Sequence, residues 1–139
     1  MNARNASSDE GHRGNLNGAR FLTGKAILLV EDEFLLAIQL EELLQSRGGT
    51  VRGPYGGLDE AMQAAQREHF DFAILDINLS GTMVYPLADQ LLARGIPFLF
   101  LTGYSPSNLP ERFRPVTRLN KPCDPNLLIA TLRSRFRVA

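Results

Sequence analysis

The stretch FAILDINLSG, residues Phe72 to Gly81, places a single acidic residue, Asp76, directly after four apolar ones and follows it with Asn, Ser and Gly. The apolar run reads as a buried strand, and burying an ionised carboxylate without partners is costly. Asp76 must therefore emerge at a sheet edge or meet a cation there, and the rest of the chain has to supply that partner.

Working outward, the chain from Lys25 alternates short apolar runs with amphipathic segments, the pattern of an α/β domain with a mainly parallel sheet. KAILLV (Lys25 to Val30) suits a strand covered on both faces. In FLLAIQLEELLQSRGG, Leu36, Leu40, Leu43 and Leu44 share a helical face, and Gly48 and Gly49 supply the stop. TVRGPY is a second strand; Asp59 can cap a helix running through Glu68, and FAIL is the third strand. Pro86 fits a first helical turn that runs to about Ala93, with Gly95 ending it before PFLFL, the fourth strand. GYSPSNLPERFRPV carries Pro106, Pro110 and Pro115, so a fourth helix is expected to be short or irregular. VTRLN is the fifth strand, and Asp124 and Pro125 open a last helix in which Leu128, Leu132 and Phe136 face the sheet. The expectation is a doubly wound sheet of five parallel strands.

Size and composition suit one such domain: 139 residues, 44% of them hydrophobic, with 8 Pro and 12 Gly. The single Cys123 cannot form an intrachain bridge, no apolar run reaches membrane-spanning length, and no signal-like segment opens the chain, which points to a reducing, cytoplasmic setting. Residues 1 to 23 are rich in Asn, Gly, Ser, Ala and Arg and read as a flexible extension, leaving 24 to 139 as the domain. Net charge is zero but uneven: residues 26 to 76 carry ten acids against three Arg, and residues 77 to 139 carry three acids against eight bases. This reads either as helix faces that differ in sign or as a basic, partner-facing surface in the C-terminal half. Neither pI nor a Lys/Arg cluster with interleaved aromatics favours nucleic acid.

Ligands of a doubly wound sheet bind where the carboxyl ends of its strands gather. Those ends carry Glu31, Asp32 and Glu33 after the first strand, Asp76 and then Asn78 after the third, Thr102 after the fourth, and Asn120 and Lys121 after the fifth. Taken singly, Asp32 also reads as a helix cap, Thr102 as a turn residue and Lys121 as an exposed cation. Jointly, crowded carboxylates call for a hard divalent cation, and Mg²⁺ with its octahedral oxygen preference is the natural one. Lys121 and Thr102 then suit a phosphoryl group, and Asp76 is placed as a nucleophile that forms an aspartyl phosphate.

LLVEDE, LDINLSG, LTGY and NKP together resemble the receiver domain of two-component response regulators, over about residues 24 to 137. The resemblance implies a CheY-like sheet of strand order 2-1-3-4-5. It implies Mg²⁺ held by Glu31, Asp32, Asp76 and the backbone carbonyl of Asn78, with Thr102 and Lys121 acting on the phosphoryl group and a Lys121–Pro122 bond that is often cis. It also implies a phosphoacceptor signalling protein rather than an enzyme, served by a histidine kinase or histidine phosphotransfer protein and acting through a downstream protein or as a phosphate sink.

FLTGY, Phe100 to Tyr104, is similar to the FATGUY subgroup, which tends to be single-domain and has an unsettled fourth helix; no residues are expected for an attached output domain. Two departures stand out. The position three before Lys121, commonly aromatic in the family, is Arg118, and the position four after Asp76, commonly Pro, is Ser80. Tyr104, Arg112, Arg114 and Arg118 then form a candidate basic partner surface. A haloacid-dehalogenase-like phosphotransferase would use similar groups but needs an acid two residues after its nucleophile, where Asn78 cannot titrate. The other alternative is a receiver-fold interaction module that works without phosphorylation.

Overall fold

The computed structural model describes residues 20–103 and 109–136. Seven strands and four α-helices follow in chain order: β1 Ala26–Val30, α1 Phe34–Ser46, β2 Thr50–Tyr55, α2 Leu58–Arg67, β3 Phe72–Asp76, β4 Asn78–Leu79, β5 Thr82–Met83, α3 Tyr85–Arg94, β6 Phe98–Thr102, β7 Arg118–Asn120 and α4 Pro125–Arg135. Five strands form one parallel sheet in the order β2-β1-β3-β6-β7, while β4 and β5 pair only with each other, antiparallel. Setting that small hairpin aside, this is the 2-1-3-4-5 order expected from the resemblance.

Every residue of β1, β3 and β6 is buried, because helices cover both faces of the central strands. Alternation divides their side chains between two cores. Leu28, Val30, Ala73, Leu75, Phe98 and Phe100 meet α2 and α3, while Ile27, Leu29, Phe72, Ile74, Leu99 and Leu101 meet α1 and α4. Each such Leu, Ile or Phe contributes on the order of 2 kcal/mol by leaving water. On α2 the side facing the sheet is Ala61, Ala64 and Ala65, small enough to let the helix lie close.

The helix ends follow local chemistry. Asp124 caps α4 by accepting a hydrogen bond from the Asn126 N–H at 2.9 Å, with Pro125 in the first turn. Gly95 ends α3 in the left-handed region at φ 70°. Nothing lies within 4 Å of a Cβ placed there, so Gly95→Ala tests that conformation alone. It should lower stability by about 1 kcal/mol without changing the fold, read from a shifted urea midpoint.

Two expectations change. The cap of α2 is Gly57, with Asp59 inside the first turn, so Asp59 meets the helix dipole there instead of bonding the end N–H groups. The packed domain also reaches back past residue 24. Leu22 is fully buried against the α1 and α4 side, and its N–H donates to the Arg47 carbonyl at 2.9 Å. Beyond these, NLSG, for which the sequence suggested no element, is part of the β4–β5 hairpin.

Between β6 and β7 the described residues hold only a 3-10 turn, Glu111–Phe113, whose Phe113 is buried against Phe100 and stacked on Tyr85. The irregular fourth helix is thus accounted for from residue 109 onward; residues 104–108, including Tyr104, lie outside the described residues. The Lys121–Pro122 bond is cis, and so is Gly53–Pro54.

Candidate functional site

Parallel register brings the carboxyl ends of β1, β3, β6 and β7 to one edge. Leu75 pairs with Val30, Asp76 with Leu101, and Thr102 with Asn120, so Glu31, Asp76, Thr102 and Lys121 emerge side by side. Backbone bonds tie down their loops: the Glu31 N–H donates to Tyr55 O at 2.9 Å, Ile77 N–H to Leu101 O at 3.1 Å, and Lys121 N–H to Thr102 O at 2.8 Å. Glu31, Asp76 and Thr102 are 2%, 4% and 5% exposed, unusual burial for two carboxylates and a hydroxyl and a sign that partners are built in.

The partner that Asp76 requires is Lys121. Its ammonium donates to Asp76 Oδ2 at 3.0 Å, Glu31 Oε2 at 3.1 Å and Glu33 Oε1 at 2.6 Å. One cation thus serves three carboxylates. Burial works against the ammonium, yet the bonds to Glu33, Asp76 and Glu31 outweigh it and raise the Lys121 pKa. Asp76 is shifted the other way for an acid: burial first, then the Glu31 charge and a hydrogen bond with Asp32, push its carboxyl up to about 7 against the pull of Lys121.

Glu31, Asp32 and Asp76 each offer a carboxylate oxygen to a common space in which these atoms lie within 4.8 Å of one another. Glu31 is buried and accepts the Glu33 N–H at 2.9 Å on Oε2, but Oε1 accepts no hydrogen bond although Lys121 Nζ stands 3.0 Å from it. A buried oxygen left in that condition, beside two more carboxylates, fits a hard cation. Asp32 is not the helix cap that it resembles in isolation. Glu33 holds the N-cap position of α1, without a side-chain capping bond, and Asp32 instead receives the Ser80 hydroxyl on Oδ2. The Asn78 N–H donates to Asp76 Oδ1 at 3.2 Å, which ties the end of β3 to the start of β4.

Two participants were named from sequence without a role in the pocket. Glu33, exposed on its loop, makes the shortest of the Lys121 contacts, and Ser80 reaches Asp32 from the hairpin. The signal for Glu33 was its place in the acidic run; that for Ser80 was the Ser-Gly pair of a tight turn. On the candidate partner surface, Arg112, Arg114 and Arg118 are all exposed, and Arg112 is forked onto Asp89 at 2.7 and 3.0 Å and lies over the Phe113 ring.

This arrangement belongs to a known class. Residues 27–133 match the response regulator receiver domain, and the chain belongs to that family, a signalling rather than a catalytic one. Among its relatives, the transcriptional regulatory protein PdtaR of Mycobacterium tuberculosis is 30% identical over 120 residues, a span covering 81% of this chain but only 58% of PdtaR. SdrG from Sphingomonas melonis Fr1 is 37% identical with a TM-score of 0.71, covering 85% of this chain and 98% of SdrG. The receiver domain of the hybrid histidine kinase CckA is 28% identical with a TM-score of 0.65, over 81% of this chain and 99% of that domain. Among the described residues no helix is long and apolar enough to cross a membrane.

Proposed function

We propose that this receiver domain accepts a phosphoryl group on Asp76 from a phosphorylated histidine, with Mg²⁺ in the acidic pocket, and passes its state to a partner protein. The observation that carries the reading is the convergence of Glu31, Asp32, Asp76, Thr102 and Lys121 at one sheet edge, with one ammonium shared among buried carboxylates. Glu31, Asp32, Asp76 and the Asn78 carbonyl would hold the cation, and its charge would offset that of the incoming phosphoryl oxygens.

The remaining work falls to the chain. An Asp76 oxygen attacks phosphorus, the phosphorus–nitrogen bond of the donor imidazole breaks, and the nitrogen keeps the electron pair. Lys121, 3.0 Å from Asp76, and Thr102, at the end of β6, would meet the transferred oxygens. Because Asn78 cannot act as a general acid or base, the position two residues after the nucleophile lacks the acid on which a dehalogenase-like phosphotransferase relies. An interaction module indifferent to phosphorylation would have no need for two buried carboxylates around one lysine. Label transfer from a phosphorylated histidine kinase or phosphotransfer protein tests the reading: transfer in Mg²⁺ and none in EDTA is expected, and equal transfer in both contradicts it.

Arg114 and Arg118 are exposed beside the irregular segment, and we assign them, with Arg112, to a face for an acidic partner; Tyr104 lies outside the described residues. Arg118→Ala should leave phosphorylation by a small donor unchanged while weakening partner binding about threefold to tenfold at low salt, with less difference at high salt. Calorimetric titration at two salt concentrations measures it; equal affinity at low salt moves the recognition face elsewhere.

A further inference from the structure

Ser80 and Gly81 form the two-residue loop joining β4 to β5, and both have positive φ, 53° and 97°. That is the backbone pattern of a type I′ hairpin turn, whose right-handed twist matches that of its strands. Gly adopts it freely; Ser does so at a cost on the order of 1 kcal/mol. The surroundings hold the turn in place. Leu79 is buried, Asn78 and Leu79 pair with Met83 and Thr82, and Asn78 Oδ1 accepts the Gly81 N–H at 2.6 Å.

The consequence of this left-handed serine is where its hydroxyl goes. Ser80 Oγ donates to Asp32 Oδ2 across 48 residues of sequence, joining the hairpin after β3 to the loop after β1. Asp32 is one of the three carboxylates of the acidic pocket, and its own loop does not spend it as a helix cap. A carboxylate binds a cation best when it is charged and its orientation is fixed beforehand, and a neighbouring hydroxyl donor serves both needs. The bond occupies one lone pair of one oxygen and leaves the others for a metal.

We propose that Ser80 is a positioning residue for metal binding: aimed by the hairpin turn, its hydroxyl holds the Asp32 carboxylate in the orientation in which the acidic pocket takes Mg²⁺. The proposal rests on the Mg²⁺ reading of that pocket. Ser80→Gly is the sharpest test, since glycine keeps the positive φ while the hydroxyl is lost together with the Cβ that carries it.

Calorimetric titration of the full chain with Mg²⁺ should show about tenfold weaker binding by Ser80→Gly. In phosphorylation by a small donor the loss should appear in the half-saturating Mg²⁺ concentration rather than in the saturated rate. Ser80→Asn, which also tolerates a left-handed backbone and carries an N–H donor, should recover most of the affinity. Wild-type binding matched by Ser80→Gly leaves the Mg²⁺ reading intact and removes the role of Ser80. Tighter binding by Ser80→Gly makes the hydroxyl a competitor of the metal and reverses the proposal, and a wild type that binds no Mg²⁺ overturns both readings.

Discussion

Asp76→Asn should fold, bind its histidine-containing donor and take up no phosphoryl group, because the amide leaves no carboxylate oxygen to attack phosphorus. A loss of transfer to background is the expected result in an assay with labelled donor. The same change should make the metal-free protein more stable. The Asp76 pKa in the folded chain, about 7, lies above the value of about 4 for an unfolded carboxyl. The folded state therefore binds more protons than the unfolded one in that interval, so ionisation of Asp76 removes stability as pH rises from about 4 through 7, and the deficit persists above it. Asp76→Asn escapes that deficit. Its melting temperature in EDTA at pH 8 should exceed the wild-type value, by a margin that shrinks toward pH 4 and also shrinks when Mg²⁺ is added to both. Retained label on the variant removes Asp76 as acceptor, whatever its stability.

Lys121→Met should be the most damaging single change to stability, and it should also weaken transfer. Methionine fills a similar volume, yet it leaves Glu31 and Asp76, two buried carboxylates, without their cation. Breaking such a group by removing one partner costs about 3 kcal/mol. The Glu33 contact adds little to that, being exposed to solvent. Without the ammonium, Asp76 holds its proton more tightly, so the variant should approach wild type in mild acid and fall furthest behind at pH 8. Mg²⁺ should restore part of its stability by supplying positive charge to the same oxygens. Phosphoryl transfer should stay low even in saturating Mg²⁺, by about a hundredfold, since a donor aimed at the developing charge is gone. Urea midpoints across pH, with and without Mg²⁺, separate the two effects; a variant as stable as wild type at pH 8 means that Lys121 does not balance the pocket.

The main sheet was legible because its central strands are buried on both faces and so appear as unbroken apolar runs, KAILLV, FAIL and PFLFL. The site was legible for a related reason: Asp76, Thr102 and Lys121 interrupt or follow such runs, and parallel strands deliver their ends to one edge. Residues whose partners lie far along the chain were not legible. Asp89 is 23 residues from Arg112, and no periodicity signals that their side chains will fork together. Strands β4 and β5 have two residues each, too short to carry a period-2 pattern, so the turn that aims Ser80 at Asp32 had no strand signal on either side. Leu22 sits in a segment polar enough to suggest an extension, yet its own side chain finds the core beneath Gly49, where a Cβ would come within 3.3 Å of it. Gly57 capped a helix that Asp59 was expected to cap because the turn begins one residue earlier than the acid.

The central claim is that one carboxylate, Asp76, becomes covalently phosphorylated in a reaction that needs a divalent cation. Intact-mass measurement after incubation with a small phosphodonor tests it most directly. In Mg²⁺ the chain should gain the mass of a single phosphoryl group, the adduct should be cleaved by hydroxylamine as an acyl phosphate is, and EDTA should prevent its formation. An unmodified mass in Mg²⁺, or an adduct that forms equally in EDTA, contradicts the account.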